Sequence, residues 1–209
     1  MAKLLYIESS PRKTRSASIT VAKHFLEAYQ KAHSGDTIEV VDLWRTELPP
    51  FNEATIDAKY AVLHGQTFTP EQAKAWEVVK KLADQFKGAD RHLISLPMWN
   101  FGLPYILKHY IDLITQPGLT FSFSPEKGYS GLVTGKPVAV VYARGGAYGP
   151  GSGGEAYDQQ VRYMHQFLGF VGFTKITDIL VEPTLASGDA KDKAIASARQ
   201  KAEEVARTF

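Results

Sequence analysis

Ser95-Leu96-Pro97-Met98-Trp99-Asn100-Phe101-Gly102-Leu103-Pro104 is the stretch from which the fold of this chain is read. Ahead of it, Leu93–Leu96 is a short apolar run with His92 at its mouth, the pattern of a buried strand. Behind it, Leu107, Tyr110, Ile111 and Ile114 recur at helical spacing, so a helix starts near Pro104, where proline suits a first turn. A connection that only turned the chain would favour Gly, Asn, Asp and Ser. This one places a thioether, an indole, an amide and a phenyl ring between two prolines. Those groups suit a wall for a flat, partly polar guest, and would serve equally to cap the core.

The same strand, loop and helix order extends outward in both directions. Upstream, Leu4–Ile7 is an apolar run that breaks at the hydroxyl- and base-rich segment 9–18. A helix follows, with Ala22, Phe25, Leu26 and Tyr29 on one face and Ser16 or Ser18 as its N-cap. Thr37–Val41 is a second strand. From Asp42 to about Pro70 the pattern is irregular, with a short helix allowed near Ala54–Leu63; a connection this long in a compact domain is often functional. Glu71–Phe86 then forms a helix on the stripe Trp76, Val79, Ala83 and Phe86, with Gly88 as its terminator.

Downstream, Thr120–Ser124 and Gly128–Gly131 predict a small hairpin. Pro137–Tyr142 is the fourth strand and runs into Ala143-Arg144-Gly145-Gly146 and a glycine-rich tract to Gly154. Tyr157, Val161, Met164, Leu168 and Val171 mark a helix, Lys175–Val181 a fifth strand, and Asp189–Phe209 an alanine-rich closing helix. Strand–helix alternation of this kind predicts one α/β domain over residues 1–209, a parallel sheet with helices on both faces. Five units fit the flavodoxin-like order 2-1-3-4-5, whose ligand crevice lies outside the carboxyl ends of strands 1 and 3. The three unusual loops follow strands 1, 3 and 4, so they would meet at one rim.

Composition narrows the function classes. A net charge of +2, with 44% apolar and 22% charged residues, gives no electrostatic case for nucleic acid or an anionic membrane. The absence of cysteine removes disulfides, thiolate metal sites and cysteine nucleophiles. The six histidines form no HxxxH or HxH pair, so no metal is expected, and no run reaches membrane-spanning length. A cytoplasmic protein is the expectation.

The first loop sets the hydroxyls of Ser10, Ser16 and Ser18 and the cation of Arg12 before a helix start, where free N–H groups and the helix dipole attract an anion such as a phosphate monoester. The same serines would also do simply as caps. Neither GxxxxGK[ST] nor GxGxxG is present. The second loop offers an apolar wall with the Asn100 amide; in the third, Gly145 and Gly146 let backbone N–H groups approach a ring. Phosphate, flat body and heteroaromatic edge together describe flavin mononucleotide (FMN).

Ser9-Ser10 with Ser16-Ala17-Ser18, Pro97-Met98-Trp99-Asn100-Phe101, Gly131–Lys136, Arg144-Gly145-Gly146 and Phe167-Leu168-Gly169-Phe170 resemble the bacterial FMN-dependent NADH azoreductases, relatives of the NAD(P)H quinone oxidoreductases. One departure is Ala143, where relatives often carry a hydroxyl. The resemblance implies that Ser10, Ser16, Ala17 and Ser18 hold the ribityl phosphate, that Met98, Trp99, Asn100 and Phe101 line the isoalloxazine, and that Ala143, Arg144, Gly145 and Gly146 meet its pyrimidine edge. It implies two-electron ping-pong transfer from NADH or NADPH to a quinone or azo compound, with no side chain named as an indispensable acid or base. It further implies a homodimer with the site at the interface, and Phe123, Tyr129 and Phe170 near the substrate. An electron carrier or a non-catalytic FMN-binding subunit on the same fold is the alternative. Arg12, Arg144 and His92 read equally as solvated charges near loop mouths.

Overall fold

The structure, a computed structural model, describes residues 1–67 and 69–209. Phe68 falls inside the irregular 42–70 stretch and lies outside the described residues. Strands β1 (Lys3–Glu8), β2 (Thr37–Asp42), β3 (Arg91–Pro97), β6 (Pro137–Ala143) and β7 (Lys175–Val181) form one sheet in the order β2-β1-β3-β6-β7, and all four pairings are parallel. This is the expected 2-1-3-4-5 order. Strands β4 (Phe121–Ser124) and β5 (Gly128–Gly131) form the expected antiparallel hairpin.

Alternate residues of each strand bury on opposite faces, as a sheet covered on both sides requires. Leu4, Tyr6, Leu93, Ala139 and Val141 pack under α1 (Ala17–Ala32) and α6 (Asp189–Arg207). Leu5, Ile7, Ile94, Leu96, Val138 and Val140 pack under α3 (Pro70–Gly88), α4 (Tyr105–Ile114) and α5 (Gln159–Val171). The irregular stretch does contain a helix, α2 (Glu53–Leu63), capped by Asn52 and packed through Ala58 against Trp76 and Val79 of α3.

Two expectations are corrected here. Gly88 is the last residue of α3 rather than a left-handed terminator beyond it. The free carbonyls at that helix end are met by side chains: the Lys136 ammonium donates to Lys87 O and Ala89 O, and His92 Nε2 pairs with Phe86 O. His92 is therefore no solvated charge at a loop mouth. It is fully buried, between the rings of Phe86 and Phe173.

Candidate functional site

The register sets the carboxyl ends of the central strands side by side: Glu8 opposes Ser95, Pro97 opposes Ala143, and Ala143 opposes Val181. Backbone bonds carry the alignment into the loops. Ser9 donates from both N–H (3.1 Å) and Oγ (2.8 Å) to Ser95 O, and Met98 N–H donates to Ala143 O at 2.8 Å.

In the first loop Ser16 is the N-cap of α1. Its Oγ accepts from Ile19 N–H at 3.4 Å and lies 3.1 Å from Ser18 Oγ. Lys13 is not available to a guest. It adopts a φ of 47°, and its ammonium reaches Glu8 (2.7 Å) and Asp42 (2.5 Å). Partial burial opposes that charge, but the Asp42 and Glu8 carboxylates outweigh it and raise the Lys13 pKa. Arg12 and Arg15 remain exposed beside the helix start.

The second loop is a tight turn in which Trp99 and Gly102 exchange both backbone bonds, at 3.1 and 2.9 Å. Asn100 (φ 46°) and Phe101 (φ 69°) occupy its centre, both left-handed. This is the turn geometry that prefers Asn then Gly. A phenylalanine at the second position is a true outlier, and strain of this kind gathers at functional sites. Gln159 N–H at the start of α5 holds the Phe101 carbonyl at 3.1 Å.

The third loop is stitched to the segment after β7. Arg144 N–H donates to Val181 O (3.0 Å), Thr184 donates from N–H (2.8 Å) and Oγ1 (2.9 Å) to Arg144 O, and Leu185 N–H donates to Gly145 O (3.1 Å). Arg144, read also as a solvated charge, has a fully buried side chain, paired with Asp158 and Glu182.

A cavity of about 190 Å³ opens where these loops meet, lined by Ser10, Arg12, Arg15, Ser16, Ala17, Pro97, Met98, Trp99, Ala143, Gly145, Thr184, Leu185 and Lys191. Of the residues expected to hold a cofactor, Ser10, Ser16, Ala17, Met98, Trp99, Ala143 and Gly145 line it together. Ser18, Asn100, Phe101, Arg144 and Gly146 belong to the same loops without lining it. Among the described residues the backbone N–H groups of Ala17, Ser18, Asn100, Phe101, Gly145 and Gly146 find no acceptor. Free amides at a helix start and at two turns are a donor set for an anion and for a ring edge rich in acceptors.

Phe123, Tyr129 and Phe170 form a separate aromatic group: Phe123 pairs across the hairpin with Tyr129 (5.0 Å between centroids), and Phe170 lies 5.5 Å from Tyr129 and 4.8 Å from Phe121. None of the three lines the cavity in the single chain.

Four residues escaped the sequence reading. Trp44 donates from Nε1 to Ser9 O (2.9 Å) and sits 6.1 Å from Trp99, bracing the first loop against the second; its only cue is an indole amid polar residues. Thr184, Leu185 and Lys191 sit in a stretch without a motif. A larger hollow, about 880 Å³, opens at the amino ends of the strands and includes Arg91, Lys136 and Lys175. Arg91 already pairs with Asp36, and Lys136 with carbonyls of α3, so its size alone does not make it a site.

Residues 2–206 match the model of a family described as having a flavodoxin-like fold. The FMN-dependent NADH:quinone oxidoreductase of Desulfotalea psychrophila is 49% identical over 202 residues, covering 97% of this chain and 95% of that one. Among solved structures, azoreductase from Bacillus anthracis strain Sterne superposes with a TM-score of 0.91 at 32% identity, over the whole of both chains. A second from that species, an FMN-dependent NADH-azoreductase in complex with FMN, gives 0.90 at 29% identity, over 100% of this chain and 99% of that one.

Proposed function

This chain belongs to the flavodoxin-like-fold family in the branch of the FMN-dependent NADH:quinone oxidoreductases, and from that membership we propose that it binds FMN and reduces quinones and azo compounds with electrons from NADH or NADPH. The observation that carries the reading is the meeting of the loops after β1, β3 and β6 around one cavity, in whose lining the backbone N–H groups of Ala17 and Gly145 find no acceptor among the described residues. Bound there, FMN supplies two-electron chemistry in two half-reactions, which a protein framework alone lacks.

The residues present fit that group. Ser10, Ser16, Ala17 and Ser18, with Arg12 beside them, offer hydroxyls, amides and a cation at the start of a 16-residue helix, the setting for a phosphate. Met98, Trp99, Asn100 and Phe101 form the wall for the ring system. Ala143, Gly145 and Gly146 turn backbone toward its polar edge, where preorganised N–H dipoles favour developing negative charge. Arg144 contributes through its backbone, since its side chain faces the interior.

A cavity of about 190 Å³ falls short of the roughly 300–1,000 Å³ usual for ligand sites. We read the missing wall as a second copy of the chain, giving a homodimer with the site at the interface. The exposed Phe123 and Tyr129, with Phe170 behind them, then bound the acceptor's space. The whole of 1–209 acts as one FMN-binding domain in the cytoplasm; no helix among the described residues is long and apolar enough to cross a membrane.

Purified protein will be yellow, will lose that colour on anaerobic addition of NADH, and will oxidise NADH when a quinone is supplied. An electron carrier would bind FMN and ignore NADH. A colourless protein that takes up no FMN overturns the reading.

A further inference from the structure

We propose that the buried triad of Arg144, Asp158 and Glu182 is a positioning device that couples the Gly145–Gly149 segment to the Trp99–Gly102 turn and so sets the spacing of the two loops flanking the flavin; the flavin's part in this rests on the reading above. The Arg144 side chain is wholly inaccessible, and its guanidinium stacks 5.7 Å from the Tyr148 ring centroid. Nη1 donates to Asp158 Oδ2, and Nε lies 2.8 Å from Glu182 Oε2. Nε is not aligned to donate there, and Nη2 has no hydrogen-bond partner among the described residues, so the contact with Glu182 is chiefly one of charge.

Each carboxylate performs a second task in a different loop. Glu182 accepts from Tyr148 N–H (2.8 Å) and Gly149 N–H (3.0 Å), closing the third loop on itself. Asp158 Oδ1 accepts from Val161 N–H (2.9 Å) and caps α5. The next residue, Gln159, donates its N–H to the carbonyl of the strained Phe101. An unbroken run of contacts therefore leads from Tyr148 and Gly149 through Glu182, Arg144 and Asp158 to Phe101.

Stability alone is a poor reason for this arrangement. A buried ion cluster stabilises no better than apolar groups of the same volume, whereas removing one partner strands a charge. What the ions add is orientation, because the planar guanidinium holds its donors in fixed directions, one onto Asp158 with its charge against Glu182, whereas a lysine ammonium is a freely rotating point charge on a flexible stem. The guanidinium is the part that joins the loops.

The test uses the full chain and the variants Arg144→Lys, Glu182→Gln and Asp158→Asn. Without FMN, hydrogen exchange of the Trp99 and Gly102 amides should quicken together with that of the Tyr148 and Gly149 amides in Arg144→Lys and Glu182→Gln, although among the described residues neither substituted side chain bonds to the 99–102 turn. With FMN, the dissociation constant should rise at least tenfold. Preference for reduced over oxidised flavin should also fall about tenfold, or about 30 mV for a two-electron couple. Should Arg144→Lys not fold, Glu182→Gln, which keeps the volume, carries the same measurements. Exchange that quickens only within 145–149, or folded variants with wild-type affinity and potential, overturns the proposal. Failure of the wild-type chain to take up FMN sinks the flavin reading instead, while the coupled exchange still decides whether the triad joins the loops.

Discussion

Leu185 closes directly on Gly145: a Cβ added at residue 145 would lie 2.7 Å from Leu185 Cδ1 and 3.1 Å from its Cγ. Leu185 is 83% exposed, so the clash falls on a side chain that can swing away rather than on backbone. Gly145→Ala should therefore change folding stability by less than about 1 kcal/mol. The added methyl, or the displaced leucine, takes cavity space, and FMN should bind about tenfold more weakly, a change of about 1.4 kcal/mol. Leu185→Ala in the same chain should recover most of that loss. Fluorescence titration with FMN decides it; wild-type affinity in Gly145→Ala would place the ring edge elsewhere.

Phe101 holds a φ of 69° with its ring about half exposed and 5.5 Å from Tyr157. A left-handed backbone costs a non-glycine residue roughly 1–2 kcal/mol, and little burial repays it here. Phe101→Gly releases that strain and gives back about 0.5–1 kcal/mol as extra freedom of the unfolded chain. Unfolding of the FMN-free protein should thus be nearly unchanged, while FMN affinity drops with the loss of the ring. A large loss of stability without loss of affinity would make Phe101 a structural residue only.

The alternation of buried runs with helical stripes made the sheet order legible, and with it the meeting of three loops, because strand ends must follow strand order. The cap at Ser16 and the aromatic turn at 98–101 were visible as departures from ordinary turn chemistry. Arg144 was not legible. Its partner Asp158 lies in a polar stretch and Glu182 just past the apolar end of β7, and only the folded chain shows that both carboxylates turn inward. Thr184 and Leu185 reach the cavity through backbone bonds to Arg144 and Gly145, which no side-chain pattern encodes. His92 opens an apolar run, where exposure and burial look alike until α3 is seen to end over it.

That buried imidazole has a measurable consequence. His92 Nε2 donates to Phe86 O at 2.7 Å, while Nδ1, where a second proton would go, has no partner among the described residues. Burial pushes the His92 pKa from 6.5 down to about 4, with Lys136 adding repulsion against the stabilising Phe86 carbonyl. Between those values the unfolded chain binds more protons than the folded one, so stability is lost as pH falls through that window. The loss from this group should reach about 2 kcal/mol by pH 5 and about 3 kcal/mol near pH 4. Urea unfolding from pH 8 to pH 4.5 measures the slope. His92→Gln should lie lower at pH 8 and show a distinctly flatter slope; an unaltered slope would assign the titration to other groups.

Ser16 separates the two readings of the first loop, since one hydroxyl serves both the helix and the proposed phosphate. As N-cap it accepts from Ile19 N–H, and its removal in Ser16→Ala should cost about 1 kcal/mol of stability. As a cavity residue beside the free amides of Ala17 and Ser18, it should also matter to the phosphate of FMN and not to riboflavin, which lacks one. Ser16→Ala is therefore expected to weaken FMN about tenfold and riboflavin hardly at all, with Ser16→Thr restoring most of the stability through the same cap. Arg12→Ala, at an exposed position, should reproduce the selective loss of FMN with stability intact and with a smaller dependence of affinity on salt. Equal weakening of FMN and riboflavin in Ser16→Ala, together with an unchanged Arg12→Ala, would mean that the loop only starts a helix. The anion would then have to be sought at another edge of the sheet.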